Sequence, residues 1–345
     1  MNWDMIGHEW AVNLLRSHIT GNQVKHAYLF TGPPGVGKRT LALRFLQAVA
    51  CIDPPRDGEF CGNCRACKAI SMNIHPDVHV VTAEENERSI RVDQIRALRA
   101  KLSLSPYEGE RRMALIIGFH QATDQAANAL LKTLEEPPSQ VVLILTALST
   151  ESLLPTIVSR CEVISLRSLP VTKLVDHLLS QGEDEGRAQM LAVLAGGRPG
   201  YALDFSKNPE RLERRTRFLD EMQELIGVGR LERFAYVEAW SERLKRKFPS
   251  PEDQRKECID VLELWLGDWR DVMLTAYDVH QSISNPDRRS EIRNLSDHIP
   301  EDQIVRAVNA FQETITAIDN NANLRLALET LMLDFPRADF PLIQS

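Results

Sequence analysis

The sequence predicts a doubly wound α/β domain with a parallel sheet, followed by a small helical domain and an all-α bundle. Three observations predict this order. Between Ala27 and Leu166, short apolar runs alternate with helical patterns, which is typical of parallel strands covered by helices on both faces. A glycine-rich loop follows the first of these runs. Beyond Leu169 the strand pattern stops, and apolar residues recur at helical spacing.

Five apolar segments are the predicted strands of the sheet. Most of them are uninterrupted apolar runs, as expected of strands that are buried on both faces. They are Ala27–Phe30, Val78–Val81, Met113–Ile117, Val141–Leu145 and Val163–Leu166.

Helices are predicted between these strands. Residues 91–102 place their apolar side chains on one helical face. Thr123 can cap a further helix, which runs to Glu136 and ends before Pro137. Alternation of strands and helices favours a doubly wound α/β arrangement.

The length and the changes of pattern predict three domains. At ~100–200 residues per domain, 345 residues are enough for two or three. The predicted boundaries give an α/β domain in residues 1–167, a small helical domain in residues 168–207 and a helical bundle in residues 208–345. Trp265 and Trp269 lie on one apolar stripe of the bundle, so we expect them in its core rather than at a binding site.

Charge and composition exclude several functions. The 41 Lys and Arg residues against 48 Asp and Glu give a net charge of −7, which argues against non-specific coating of nucleic acid or of an anionic membrane. The hydrophobic content of 43% is typical of a soluble globular protein. The apolar runs are shorter than the ~20 residues that span a bilayer, and residues 1–5 do not resemble a secretory signal. We therefore expect a cytoplasmic protein that makes no membrane contact.

The glycine-rich loop has the context of a phosphate-binding site. It reads GPPGVGKRT over residues 32–40, between a predicted strand and a helix-compatible run. Glycines let backbone amides point at phosphate oxygens, the helix N-terminus adds partial positive charge, and the lysine reaches the outer phosphates. The alternative is a tight strand-to-helix turn without a ligand. The predicted cofactor is ATP or ADP, and the residues that would bind it are Gly32, Gly35, Gly37, Lys38 and Thr40.

The parts of the site that hydrolysis needs are missing from the sequence. A Ser or Thr directly after the lysine normally holds Mg²⁺, but Arg39 stands there, and Thr40 is rotated by about 100° around the helix. Carboxylates should follow the neighbouring strand, where they organise Mg²⁺ and the attacking water. Gly118 and Phe119 follow it instead, and the first acid is Asp124. We expect little or no ATP hydrolysis, whereas binding without turnover stays open.

Four of the six cysteines form a C-x₉-C-x₂-C-x₂-C pattern, at Cys51, Cys61, Cys64 and Cys67. Four thiolates suit one tetrahedral Zn²⁺ at ~2.3 Å each, whereas stable disulfides are rare in the cytoplasm. The alternative is a group of reduced surface cysteines. Because the protein supplies all four ligands, no position is left for water, and the zinc is predicted to be structural. Cys161 and Cys258 stand alone and are expected in the core.

The glycine loop and the cysteines, together with further segments, resemble the delta-prime subunit family of bacterial DNA polymerase III, which are clamp-loader proteins of the AAA+ class. The likeness covers residues 1–165 closely and reaches into the second and third predicted domains. Cysteine spacing combined with a Ser-Arg-Cys motif is specific to clamp loaders. The further segments are Ile6–Glu9, His26–Phe30, Ala126–Pro138, Leu154–Cys161, Gly196–Gly200 and Asn323–Glu329.

The resemblance implies an AAA+ P-loop domain with a zinc insertion at residues 51–67, a helical lid and a helical collar that joins the subunits. It also implies a catalytic role for Arg160, as an arginine finger that reaches the ATP site of an adjacent subunit. By its chemistry alone, Arg160 could neutralise a neighbour's γ-phosphate or form a surface ion pair. The implied partners are the motor (gamma/tau) and delta subunits and, through the complex, the sliding clamp and primed DNA.

Within that family, the sequence favours a non-hydrolysing stator, a structural part of the polymerase holoenzyme. Gly200 aligns with the position at which hydrolysing relatives carry a nucleotide-sensing arginine. The alternative is an ATP-hydrolysing gamma/tau-type motor subunit, which shares the zinc module and the Ser-Arg-Cys loop but should carry Lys-Ser or Lys-Thr and an Asp-Glu pair. A zinc-dependent nucleotide-modifying enzyme is disfavoured, because four cysteines saturate the metal.

One predicted helix also has a basic face, formed by Arg91, Arg96, Arg99 and Lys101. Such a face can contact DNA phosphates. A solvated helix face is the commoner role of such residues, so the sequence leaves both interpretations open.

Overall fold

The structure, a computed structural model, describes residues 3–84, 89–138, 140–279 and 283–337. The chain divides into two compact units: residues 1–183 together with 197–201 form unit 1, and residues 184–196 together with 202–345 form unit 2. The finer division into domains at residues 1–167, 168–207 and 208–345 remains a prediction.

Unit 1 contains a five-stranded parallel sheet with the strand order β2-β3-β4-β1-β5. Each predicted strand is confirmed to within two residues at either end. The strands are β1 (Ala27–Thr31), β2 (Val78–Val81), β3 (Arg112–Ile116), β4 (Val141–Ala147) and β5 (Glu162–Ser165). The order places β1, which leads into the glycine loop, between β4 and β5.

Seven helices of unit 1 are described, and most of them connect these strands. They are α1 (Glu9–Thr20), α2 (Lys38–Ala50), α3 (Arg65–Ser71), α4 (Val92–Leu102), α5 (Asp124–Glu135), α6 (Pro155–Val158) and α7 (Val171–Ser180). Thr123 caps α5 as predicted, because its hydroxyl accepts a hydrogen bond from the backbone N–H of Ala126 at 3.2 Å.

Apolar clusters cover both faces of the sheet. Successive residues of β1 alternate between the clusters: Ala27 and Leu29 belong to one, whereas Tyr28 and Phe30 belong to the other. This alternation follows from the two-residue period of a strand. It explains why the strand is an uninterrupted apolar run.

Unit 2 consists of helices in the part of it that the structure describes. They are α8 (Glu185–Leu194), α9 (Pro199–Lys207, whose first three residues belong to unit 1), α10 (Pro209–Gly227), α11 (Arg230–Lys247), α12 (Pro251–Ala276), α13 (Arg289–His298), α14 (Glu301–Asp319) and α15 (Leu324–Asp334). Trp265 and Trp269 are fully buried, which confirms the prediction that they belong to the core. Trp265 Nε1 donates a hydrogen bond to the carbonyl oxygen of Phe218 at 2.7 Å.

The sequence GGRPG at residues 196–200 is typical of a break between helices, but α9 begins within it. Pro199 and Gly200 lie in the first turn of α9. Proline is favoured at the start of a helix because its missing N–H has no intrahelical partner there. None of the described helices is both long enough and apolar enough to span a bilayer.

Candidate nucleotide loop, cysteine cluster and arginine

The glycine loop between β1 and α2 requires its glycines. Gly32, Gly35 and Gly37 have φ angles of 139°, 76° and 106°, a region that side-chain-bearing residues rarely adopt. A Cβ atom on Gly32 would lie 2.2 Å from the carbonyl oxygen of Leu166. The loop therefore has a backbone conformation that depends on glycine, and it leads directly into the N-terminus of α2.

Lys38, the first residue of α2, folds back over this loop. Its ammonium group donates to the carbonyl oxygens of Gly32 and Pro33, with 2.9 Å to the latter. Burial lowers the pKa of Lys38 to about 8. An ammonium group has three donors, so one remains for a phosphate oxygen. The glycine loop and Lys38 therefore fit a phosphate group. The next two residues of α2, Arg39 and Thr40, are exposed.

Residues that are distant in the sequence contact the glycine loop and hold its conformation. The backbone N–H of Gly200 donates to the carbonyl oxygen of Gly35 at 2.8 Å. The ring of Tyr201 lies so close that a Cβ atom on Gly35 would be 2.8 Å from its Cδ2. On the other side, His8 Nε2 donates to the carbonyl oxygen of Val36 at 3.1 Å. No sequence pattern indicates these roles of His8 and Tyr201, because the contacts exist only in the folded chain.

The segment after β3 contains no acid. Gly118 has a φ angle of 72° and donates its N–H to the hydroxyl of Thr146 at 2.9 Å. Residues 119–121 form a short 3-10 turn, in which burial and the charge of Lys38 lower the pKa of His120. Asp124 is exposed in the first turn of α5. Gly118, Phe119 and His120 thus stand where a hydrolysing site carries the carboxylates that organise Mg²⁺.

The four clustered cysteines converge in space. Their sulfur atoms all lie within 4.8 Å of one another. Tetrahedral zinc with Zn–S distances of ~2.3 Å places its sulfur ligands ~3.8 Å apart, so the cluster needs little movement to bind the ion. Cys67 is buried and the other members are half-buried; the cluster comprises Cys51, Cys61, Cys64 and Cys67.

Backbone N–H groups surround the sulfurs. The amides of Cys61 and Cys64 point at the sulfurs of Cys51 and Cys61 at 3.3 and 3.2 Å. Burial opposes ionisation of Cys64, but N–H groups from Cys67 and Ile52 outweigh it and lower the pKa of the thiol to about 6. Burial raises the pKa of the Cys51 and Cys67 thiols, so zinc binding would have to displace their protons. The convergence of four sulfur atoms is what fits the donor set to this metal.

Gln47 joins the cysteine module to α2. Its amide nitrogen donates to the carbonyl oxygen of Cys67 at 3.0 Å and to the hydroxyl of Ser71 at 2.8 Å. Gln47 is buried, and a buried side-chain amide without hydrogen-bond partners would destabilise the fold. The bonds to Cys67 and Ser71 provide those partners. No sequence motif points to Gln47; the available signal is a polar residue among the apolar positions of α2.

Arg160 follows α6 at the start of a turn into β5. Its Nη2 lies 2.9 Å from Oε1 of Glu135, the last residue of α5. Its Nη1 donates to the carbonyl oxygen of Thr156 at 2.9 Å. The side chain is 33% exposed, so the guanidinium is held by its own chain and still accessible at the surface.

The lysine-bearing glycine loop after β1 of a parallel sheet, with a cysteine module after α2, defines a P-loop protein of the AAA+ type. Residues 7–170 match the family model described as DNA polymerase III, delta subunit. The chain is 32% identical over 324 residues to DNA polymerase III subunit delta' of Pseudomonas aeruginosa, covering 91% of this chain and 92% of the relative. The chain therefore belongs to the DNA polymerase III delta-prime subunit family, a family of clamp-loader subunits.

Other relatives carry related names. The chain is 28% identical to subunit delta' of Bacillus subtilis, covering 93% of this chain and 94% of the relative. It is also 28% identical to subunit tau of that organism, covering 90% of this chain and 57% of the relative. Among solved structures, a DNA polymerase III gamma-subunit-related protein from Thermotoga maritima aligns over 93% of this chain and 97% of that chain, with a TM-score of 0.45 and 18% identity. The family assignment rests on the sequence relatives.

Proposed function

We propose that the chain is a non-hydrolysing stator of the DNA polymerase III clamp loader, which supplies Arg160 to the ATP site of a neighbouring subunit. The observation that carries this proposal is the acid-free segment after β3. Gly118, Phe119 and His120 occupy the place where an ATPase needs the carboxylates that organise Mg²⁺ and water.

The Mg²⁺ ligand that the loop itself should provide is also missing. A hydroxyl directly after Lys38 would be needed, and the guanidinium-bearing Arg39 stands there. A cation at that position repels Mg²⁺. The loop nevertheless has the glycines and the lysine that phosphate binding needs. It would therefore bind ATP or ADP without hydrolysing it. The binding residues would be Gly32, Gly35, Gly37, Lys38 and Thr40.

An arginine finger in such a subunit is useful only to a neighbour, because the chain's own site has no reaction to assist. Arg160 suits this role by its position and chemistry. It is partly exposed on a short turn, and its planar guanidinium can stabilise charge on a transferring γ-phosphate.

Cys51, Cys61, Cys64 and Cys67 would hold one structural Zn²⁺. The ion would cross-link the inserted module of residues 51–67. It would have no catalytic role, because four thiolates leave no open coordination position. Gln47 would carry the constraint to α2 through its bonds to Cys67 and Ser71.

The proposed partners are motor subunits of the gamma/tau type and a delta subunit. Through the complex, the chain would act on the sliding clamp and primed DNA. Relatives named delta', tau and gamma/tau support membership of such an assembly. The helices of unit 2 carry no recognised chemistry, and we assign subunit assembly to the bundle from residue 208 onward.

The alternative is an ATP-hydrolysing gamma/tau-type motor subunit. The similarity to subunit tau and the presence of Lys38 favour it. Arg39 and the segment after β3 oppose it, because both halves of the Mg²⁺ site are missing.

Rebuilt complexes that contain Arg160→Ala test the proposal. DNA-stimulated ATPase should fall only in part, since the other sites in the ring keep their own fingers, and clamp loading should fall further. Arg160→Lys should rescue poorly, because an ammonium group lacks the planar fork. Lys173→Ala, which removes an exposed basic side chain of α7 in unit 1, is the control and should change neither rate. Normal rates for Arg160→Ala in complexes of unchanged composition would refute the role in trans.

A further inference from the structure

The ion pair between Glu135 and Arg160 connects two segments of unit 1 that are separate in sequence. Oε1 of Glu135 and Nη2 of Arg160 are 2.9 Å apart. The side chain of Glu135 is 51% exposed and that of Arg160 is 33% exposed. Glu135 ends α5, and Arg160 follows α6, so both side chains project from helix ends rather than from the middle of a helix.

The guanidinium of Arg160 is held from two directions. The carbonyl oxygen of Thr156 and the hydroxyl of Ser159 accept from Nη1 at 2.9 and 3.4 Å, which holds the group against its own turn. Glu135 is the acceptor that comes from another element. It is also the only charged partner of the guanidinium among the ion pairs of the described residues. The direction of Nη2 is therefore set by the carboxylate of Glu135.

We propose that Glu135 is a restraining residue that holds Arg160 on the surface of its own subunit and must release it before Arg160 can engage a neighbour's γ-phosphate. This inference rests on the proposed role of Arg160 in trans. A carboxylate at 2.9 Å neutralises much of the attraction that the guanidinium offers to an incoming phosphate, and it repels the phosphate itself. The two anions compete for the same nitrogen.

The expected effect is moderate because the pair is partly exposed. Exposed ion pairs change equilibria by about two- to fivefold. Glu135→Gln keeps the size of the side chain and removes its charge, so it should raise the Arg160-dependent part of the ATPase rate by about two- to fivefold in complexes without DNA. This part is the rate of a complex minus the rate of the same complex with Arg160→Ala. The ratio between DNA-stimulated and unstimulated rates should fall.

The experiment compares complexes rebuilt with wild-type chain, Glu135→Gln, Arg160→Ala and the double variant. If Glu135 acts through Arg160, Glu135→Gln raises the ATPase rate when Arg160 is present. The double variant should then have the same rate as Arg160→Ala alone. Glu135→Asp keeps the charge on a shorter side chain and should lie between wild type and Glu135→Gln. Glu136→Gln is the matched control, because it removes the same charge from the adjacent exposed residue; its rate should equal that of wild type.

The outcomes separate the two ideas. A normal rate for Arg160→Ala refutes both the role in trans and the restraint. A reduced rate for Arg160→Ala with an unchanged or lowered rate for Glu135→Gln refutes the restraint alone and leaves the role in trans intact. An equal rise in Glu136→Gln, or a rise that persists in the double variant, assigns the effect to general charge and also refutes the restraint. Thermal melting and size-exclusion chromatography confirm that every variant folds and assembles.

Discussion

The backbone N–H of Gly200 donates a hydrogen bond to the carbonyl oxygen of Gly35, with 2.8 Å between the two atoms. Gly200 lies in the first turn of α9, where backbone N–H groups have no intrahelical partner. Gly35 lies in the middle of the glycine loop. The start of one helix thus satisfies a carbonyl of the loop, and the loop conformation depends on this close approach of two backbones.

Gly200→Ala should break this approach. A Cβ atom at residue 200 would lie 2.8 Å from the carbonyl oxygen of Gly35 and 3.2 Å from its Cα, and both are backbone atoms that cannot rotate away. We expect the free energy of unfolding to fall by about 1–3 kcal/mol, the usual cost of overpacking. Denaturant unfolding of the isolated protein measures this free energy for Gly200→Ala and for wild type.

Gly267→Ala is the control for this substitution. Gly267 lies within α12, and a Cβ atom there would meet no described atom within 4 Å apart from its chain neighbours and the backbone of its own helix. Alanine should stabilise the helix by about 0.5–1 kcal/mol. If Gly200→Ala is as stable as Gly267→Ala, the contact with Gly35 does not constrain the fold.

Purified chain should not turn over ATP. Arg39 stands where a Mg²⁺ ligand is needed, and the segment from Gly118 to the N-cap Thr123 contains no carboxylate. Steady-state phosphate release should therefore equal that of the Lys38→Ala variant, which lacks the ammonium group of the loop. Turnover that copurifies with the wild-type chain and disappears in Lys38→Ala would contradict this expectation and favour the motor subunit.

The fold could be predicted because its signals are local. A strand buried on both faces must be apolar at consecutive positions, so β1 and β4 are visible as uninterrupted runs. The glycine loop and the cysteine cluster are visible for the same reason: their residues are close in sequence. Helix ends are harder to predict: α2 begins at Lys38, three residues before Leu41, its first apolar residue.

The contacts that position the site could not be predicted. Tyr201 against Gly35, Gln47 with Cys67 and Glu135 with Arg160 each join residues that are distant in the sequence. No periodicity encodes such pairs, because they depend on how the connecting elements pack. The sequence identified Arg160 through its motif, but it did not show which carboxylate holds the side chain.

Protein prepared without chelator should contain one zinc ion per chain. Cys64→Ser should lose most of the metal and reduce stability, because removal of one thiolate opens a site whose binding energy is coupled to local folding. Elemental analysis measures the zinc, and proteolysis within residues 51–67 measures the loosening of the module. Cys258→Ala, which removes a buried thiol outside the cluster, should keep the zinc. Zinc-free wild-type protein would refute the assignment.

The buried carboxyl of Asp268 should make unit 2 less stable as the pH rises. Burial raises the pKa of Asp268 to about 7, against the attraction of Arg288, whose Nε is 3.9 Å away. Arg288 is already bound more closely by Asp220 and Gln223, both at 2.6 Å. Asp268 therefore lacks a close ionic partner, and its protonated form is favoured in the folded chain.

The sign of the effect follows from linkage. The pKa of Asp268 is 3.8 when unperturbed and about 7 in the folded chain, so its contribution to stability is complete below pH 4 and is lost as the pH rises through 7. Asp268→Asn cannot ionise. Between pH 5 and pH 8, its free energy of unfolding relative to wild type should rise by about 2–3 kcal/mol. Groups common to both proteins, including the neighbouring Asp271, cancel in this difference if the substitution leaves their pKa values unchanged.

Denaturant unfolding followed by tryptophan fluorescence at pH 5, 6, 7 and 8 measures the difference, since Trp265 and Trp269 report on the core of unit 2. Asp297→Asn removes an exposed carboxyl of α13 and is the control. Its difference from wild type should stay within ~0.5 kcal/mol across this range, because substitutions at exposed positions change stability little. A difference between Asp268→Asn and wild type that does not change with pH would mean that Asp268 is ionised in the fold, and that Arg288 compensates for its burial.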